Sequence, residues 1–261
     1  MPEPPILRDE VEPGIVRLTF NRPDKLNALS RPLLRELEAE VDRLHSEAAA
    51  RVVILTGAGD RAFVAGADIA EYRDNRAREF IAYQMESRRI LDKLEALPKP
   101  TIAAVRGYAL GGGFEIALCC DVIICAESAR LGLPEGLLGL SPGGGGTQRL
   151  TRAVGKYLAS DIMLAARRIT GERAYALGLA AELCPDETLF ETALERARVM
   201  LKVAPLAQAA MKRLIGQGAD GALQLSQSFE QEVLFRLYGT EDGREGVAAF
   251  LDKRNPAFKG R

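Results

Sequence analysis

The 261-residue chain has no tryptophan, a single histidine and four cysteines, and aromatic residues make up only 6% of it. The histidine, His45, falls near the exposed end of a predicted amphipathic helix. The apolar centre therefore has no imidazole for a Ser–His or Cys–His pair, and no His-rich metal site is expected. Cys119, Cys120, Cys125 and Cys184 form no C-x-x-C pair, and three of them sit in apolar context. That is the pattern of buried reduced thiols. Excess charge is missing too. The 35 basic residues nearly balance 36 acidic ones, giving a formal net charge of -1, so neither nucleic acid nor an anionic membrane surface is expected as a partner. There is also no long apolar run. The most apolar stretch, 101–126, is broken by Arg106, Glu115 and Asp121, whereas a membrane span needs about 20 apolar residues. The opening Met-Pro-Glu-Pro-Pro-Ile has neither a basic region followed by an apolar one nor the Arg/Ser bias of a transit peptide. A soluble, cytoplasmic protein is expected, and any acid–base chemistry in it falls to carboxylates.

What is present is an ordinary globular composition, 47% hydrophobic and 27% charged, in a chain long enough to bury a sizeable core. Residues 15–20 alternate as a strand and end in the turn residues Asn21-Arg-Pro-Asp24. Ser30 is an N-cap candidate for a helix to about residue 47 that carries Leu34, Leu37, Val41 and Leu44 at helical spacing. Residues 51–56 form a β-branched strand, which makes a crossover unit with the preceding strand and helix. A loop of small residues, 57–68, follows. Next comes a long helix from about Asn75 that stops before Pro98, carrying Phe80, Ile81, Met85, Leu91 and Leu94, and then strands at 101–105 and 121–125 with a helix at 112–119 between them. Beyond residue 146 the pattern is helical, at about 156–165, 171–177, 187–202, 205–216, 221–238 and 241–251, with one short strand near 181–184. The expected organisation is an α/β core over 1–204 and a helical C-terminal region over 205–261.

Two glutamates stand out. Glu115 follows Gly111-Gly-Gly-Phe114 in an apolar run, and Glu135 follows Leu133-Pro134 in another. Burying an unpaired carboxylate is costly, so such groups neutralise or find partners. Glu115 could also simply complement the dipole of its helix, and Glu135 could pair with Arg130. The glycines do not form a nucleotide loop. No G-x-G-x-x-G with a following acid is present, and Gly155-Lys156 continues with Tyr157 instead of Ser or Thr. Gly112 is placed to start a helix, where free N–H groups meet an anion. With a second donor such as Ala67, from the 57–68 loop, it could form an oxyanion hole. A tight strand–helix junction would account for the same glycines.

Several segments together resemble the crotonase, or enoyl-CoA hydratase/isomerase, family. They are Leu26-Asn-Ala-Leu29, Ala65-Gly-Ala-Asp-Ile69, Gly107-Tyr-Ala-Leu-Gly-Gly-Gly-Phe-Glu115, Leu133-Pro-Glu135 and Pro142-Gly-Gly-Gly-Gly-Thr-Gln-Arg-Leu150. The resemblance runs over nearly the whole chain and implies a spiral of ββα units with a helical C-terminal trimerisation region, assembled as a homotrimer or as a hexamer made of two trimers. It implies backbone oxyanion donors at Ala67 and Gly112, catalytic carboxyls at Glu115 and Glu135, and CoA contacts at Lys25, Leu26, Ala28, Ala65, Asp68 and Ile69. A neighbouring subunit's residues between Phe250 and Phe258 would help to close the CoA site. The implied reaction is reversible hydration of a trans-2-enoyl-CoA, with CoA entering as part of the substrate and no metal or other cofactor. A carnitinyl-CoA dehydratase and an enoyl-CoA isomerase are alternatives within the family, and an RNA-binding module is a remote one.

Overall fold

The computed structural model describes residues 3–71 and 77–261. Three strands, β3 (Val52–Gly57), β5 (Thr101–Val105) and β7 (Val122–Ala126), are almost continuously apolar and almost continuously buried. A parallel sheet covered on both faces requires such sequences. These strands form the centre of a six-stranded sheet in the order β1-β2-β3-β5-β7-β10, with β1 (Ile6–Glu12), β2 (Ile15–Phe20) and β10 (Glu182–Cys184) outside them. Only β1 runs antiparallel to its neighbour. Side chains alternate between two cores. Val53, Leu55, Ala103, Val105 and Cys125 face α1 (Arg31–Ser46), α2 (Ala77–Glu95) and α3 (Gly112–Cys119). Val52, Ile54, Ile102, Ala104 and Ile124 pack with Leu189, Ala193, Leu194 and Ala197 of α7 (Leu189–Leu201).

A second, four-stranded sheet has the order β4-β6-β8-β9, built from β4 (Ala62–Val64), β6 (Tyr108–Leu110), β8 (Arg130–Gly132) and β9 (Ile169–Thr170). The chain visits the large sheet, then the small one, then a helix: β3-β4-α2, β5-β6-α3 and β7-β8-α4, where α4 is Gly146–Val154. This is the expected spiral of ββα turns. β4 falls in the 57–68 stretch expected to be loop, and β6, β8 and β9 were not expected, because alternation cannot show in two or three residues and their pairing is entirely non-local. β1 was likewise not expected.

The 30–47 helix is present as α1, with the Ser30 side chain accepting the Leu33 N–H at 3.4 Å. The expected start of the next helix at Asn75 lies outside the described residues. Its buried face also differs from expectation, since Tyr83, Ser87, Ile90, Leu91 and Leu94 are buried while Ile81 and Met85 are exposed. The remaining helices are α5 (Lys156–Leu164), α6 (Gly171–Ala176), α8 (Pro205–Gly218), α9 (Leu223–Tyr238) and α10 (Glu241–Leu251). Lys212 of α8 reaches Asp121 at 2.8 Å and the Lys99 carbonyl at 3.0 Å, which ties the C-terminal helices to the base of the large sheet. All four cysteines are free. Among the described residues no helix is long and apolar enough to cross a membrane, and no cluster of His, Cys, Asp and Glu could hold a metal ion.

Candidate active site

The β6–α3 junction places the first two groups. Gly111 has φ +52°, and a Cβ there would lie 3.1 Å from Glu135 Oε1 and 3.8 Å from the Gly66 Cα. Only glycine satisfies both the backbone and the space. The close approach seats the 65–69 loop, the start of α3 and the 3-10 turn Glu135–Leu138 around one cavity. The Ala67 loop is fixed by its bridge to Leu29, in which Leu29 N–H donates to Gly66 O and Asp68 N–H donates to Leu29 O, each at 2.8 Å. Neither the Ala67 nor the Gly112 N–H has an acceptor among the described residues. Both residues line the cavity.

The cavity encloses about 430 Å³ and has predominantly apolar walls, among them Leu29, Phe80, Leu110, Leu137, Leu138 and Leu140. Glu115 and Glu135 both reach it. Glu115 is 4% exposed, and its Oε1 accepts hydrogen bonds from the Gly144 and Gly146 N–H groups, both at 2.8 Å. Glu115 sits in the first turn of α3, where its charge complements the helix dipole as expected, and its hydrogen-bond partners come from outside that helix. Burial raises its pKa, opposed by the two amides and by the charges of Arg149 and Arg88. Both amides fall on Oε1.

Glu135 does not pair with Arg130, whose Nη1 donates instead to the Glu127 and Ala129 carbonyls at 3.1 and 2.7 Å. Glu135 Oε2 is buried without a partner among the described residues. Burial pushes the Glu135 pKa up to about 7, and the nearby Glu115 charge adds to the rise. One site therefore holds an amide-anchored carboxylate and a carboxyl that keeps its proton near neutrality, the arrangement that separates a base from an acid.

Of the expected CoA contacts, Ala65 and Ile69 line this cavity. Lys25, Leu26, Ala28 and Asp68 form an adjoining cluster. Lys25 ends the 3-10 turn Pro23–Lys25, the Leu26 carbonyl accepts from Ala65 N–H at 3.0 Å, the Ala28 carbonyl accepts from Arg22 Nη1 at 2.5 Å, and Asp68 pairs with Arg22 at 2.9 Å. Sequence reasoning counted the 143–146 glycine run among the segments that carry the family resemblance but did not name Gly144 and Gly146 as amide donors. Four consecutive glycines were the available signal for a backbone that meets another group closely. It also missed Arg168, which lines the cavity and lies 5.5 Å from the Tyr108 ring centroid.

The family model described as enoyl-CoA hydratase/isomerase matches residues 10–261. The 2,3-dehydroadipyl-CoA hydratase of Escherichia coli K12 is 43% identical, over 95% of this chain and 96% of its own. The short-chain-enoyl-CoA hydratase of Clostridium acetobutylicum is 38% identical over 97% of both chains. The crystal structure of an enoyl-CoA hydratase from Bacillus anthracis superposes with a TM-score of 0.96, at 39% identity, covering 98% of this chain and 100% of that one.

Proposed function

The chain belongs to the enoyl-CoA hydratase/isomerase family, and from that premise we propose that it is a hydro-lyase adding water reversibly across a trans-2-enoyl-CoA to give the 3-hydroxyacyl-CoA. The observation that carries this reading is the pairing, in one apolar cavity, of an anchored Glu115 and an unpartnered, proton-retaining Glu135 beside two free backbone donors.

In the proposed mechanism the thioester oxygen accepts hydrogen bonds from the Ala67 and Gly112 N–H groups. Water held between the carboxyls attacks C3 while Glu115, through Oε2, takes its proton. The C2–C3 π pair moves towards the thioester, and the charge gathers on the oxygen that the two amides hold. Losing one such donor typically costs about 3 kcal/mol in the barrier. Protonated Glu135 delivers its proton to C2, and proton exchange between the carboxyls and solvent restores the starting state. The addition leaves the net oxidation level of the acyl group unchanged, so the scheme needs no redox cofactor; its charge and proton transfers are assigned to the two amides and two carboxyls without a metal, and CoA arrives as part of the substrate. Lys25, Leu26, Ala28, Ala65, Asp68 and Ile69 are assigned to CoA. The C-terminal region, 205–261, is assigned to assembly as a homotrimer or a dimer of trimers, and the protein to the cytoplasm. The retained glutamate pair favours hydration over isomerisation.

The test is ultraviolet absorbance of the enoyl thioester. Purified protein should bleach crotonyl-CoA and accumulate 3-hydroxybutyryl-CoA. Activity confined to crotonobetainyl-CoA, or conversion of a 3-enoyl-CoA without water addition, would replace this reading by one of the other two family reactions.

A further inference from the structure

Arg149, on the first turn of α4, is 12% exposed at its side chain and is not among the residues that line the cavity. Its Nη1 donates to the Gly144 carbonyl at 2.6 Å. Its other edge grips α2: Nε and Nη2 bond the two oxygens of Glu95 at 2.9 and 2.6 Å, and Nη2 also reaches Asp92 Oδ1 at 3.1 Å. Gly144 is in turn one of the two residues whose N–H groups hold Glu115 Oε1. Between the two donors stands Gly145, with φ +102°, where any Cβ would run into the Arg149 guanidinium. The guanidinium thus occupies the space that a side chain at 145 would fill. It fixes the carbonyl lying between the two amides that define the Glu115 cradle.

We infer that Arg149 is a positioning residue for the reaction: by clamping the Gly144 carbonyl to the Glu95 and Asp92 carboxylates of α2, it sets the orientation of both amides on Glu115. The fork is needed for this. A guanidinium can bond a carboxylate on one edge and a carbonyl on another in one plane, and an ammonium cannot. The inference rests on the proposed role of Glu115 for its kinetic consequences, but the geometry of the cradle can be read without turnover. The charged and titratable groups facing Glu115 are Glu135 from the 3-10 turn, Arg88 from α2, Cys119 from α3 and Arg149 itself. Burial works against the Arg149 charge, and the bonds and charges of Glu95 and Asp92 more than offset it, so it stays cationic.

The experiment compares Arg149→Met and Arg149→Lys with the unaltered protein, on crotonyl-CoA across pH and by carbon-13 carboxyl titration of glutamate-labelled protein, with Glu115→Gln to assign the resonance. Arg149→Met should lower kcat by about 100-fold, the cost of a displacement of about 1 Å in a reacting group, with KM changed little. It should also move the Glu115 titration and the acid limb of the rate profile to higher pH. Arg149→Lys, which keeps the charge, should return the titration towards the original position while restoring only part of kcat. A Met variant with unchanged kcat and an unmoved Glu115 titration, even with a lowered melting temperature, would overturn the inference. If the Met variant does not fold, a Lys variant with full kcat overturns it instead. An inactive unaltered protein whose Glu115 titration still moves on Arg149 substitution would reject the proposed reaction and leave the positioning role standing.

Discussion

Glu135 carries a consequence for stability as well as for catalysis. Its folded pKa of about 7 lies above the ordinary value of 4.5 because burial disfavours the charged form and Glu115 adds like charge. The native state therefore binds this proton more tightly than the unfolded chain, so the stabilisation is present in full below about 4.5 and is lost as pH rises through about 7. Glu135→Gln, neutral at every pH, should melt at a higher temperature than the unaltered protein at pH 8, and the gap should shrink as pH falls towards 4.5. Calorimetry at the two pH values reads this directly, and a Gln variant less stable at both would contradict the unpartnered, buried setting of the carboxyl. The same residue bounds activity: kcat/KM for hydration should fall on the alkaline side of about pH 7, as a titration of the coupled pair. Glu115 and Glu135 were both legible in the sequence as charges in apolar runs. The partnership of the Gly144 and Gly146 amides with Glu115 was not, because the glycine run signals a close backbone approach but local spacing does not say which group, 29 and 31 residues away, it meets.

The elements that matter most are the short ones. β4, β6 and β8 hold the site, and α3 starts where β6 ends. Gly113, on the first turn of α3, packs so closely on β4 that a Cβ would strike the Val64 carbonyl. Gly113→Ala must push the helix and its Glu115 away from the small sheet. Overpacking of this kind typically costs about 1–3 kcal/mol, or roughly 2–4 °C per kcal/mol in a chain of about this size, and hydration should fall with it. A variant with unchanged melting temperature and unchanged activity would show that α3 is seated less tightly. The centre of the large sheet was readable, because 51–56, 101–105 and 121–125 are short apolar runs and 15–20 alternates, whereas its edge strand β1 was not expected. The small sheet was hidden, because two or three residues at a time pair with partners far along the chain.

On the scale of the whole molecule, α9 and α10 leave Leu234, Phe235, Tyr238, Val247, Phe250 and Leu251 between 51% and 83% exposed. The tail beyond α10 folds back, with Asp242 accepting the Lys259 and Gly260 N–H groups at 2.6 and 2.8 Å. Apolar side chains on this scale fit the proposed assembly of subunits. Light scattering on the purified protein should report a trimer or hexamer, and Leu234→Asp with Phe235→Asp should lower that mass; a monomeric unaltered protein would contradict it. The proposed function stands most directly on the two carboxyls acting on one water. The deciding measurement is single-turnover hydration of crotonyl-CoA by the unaltered protein, Glu115→Gln and Glu135→Gln, followed by loss of enoyl-thioester absorbance. General acid and general base steps each contribute about 100- to 10,000-fold, so each variant should be slower by at least about 100-fold while still binding the substrate. Rates in both variants equal to that of the unaltered protein would contradict the account.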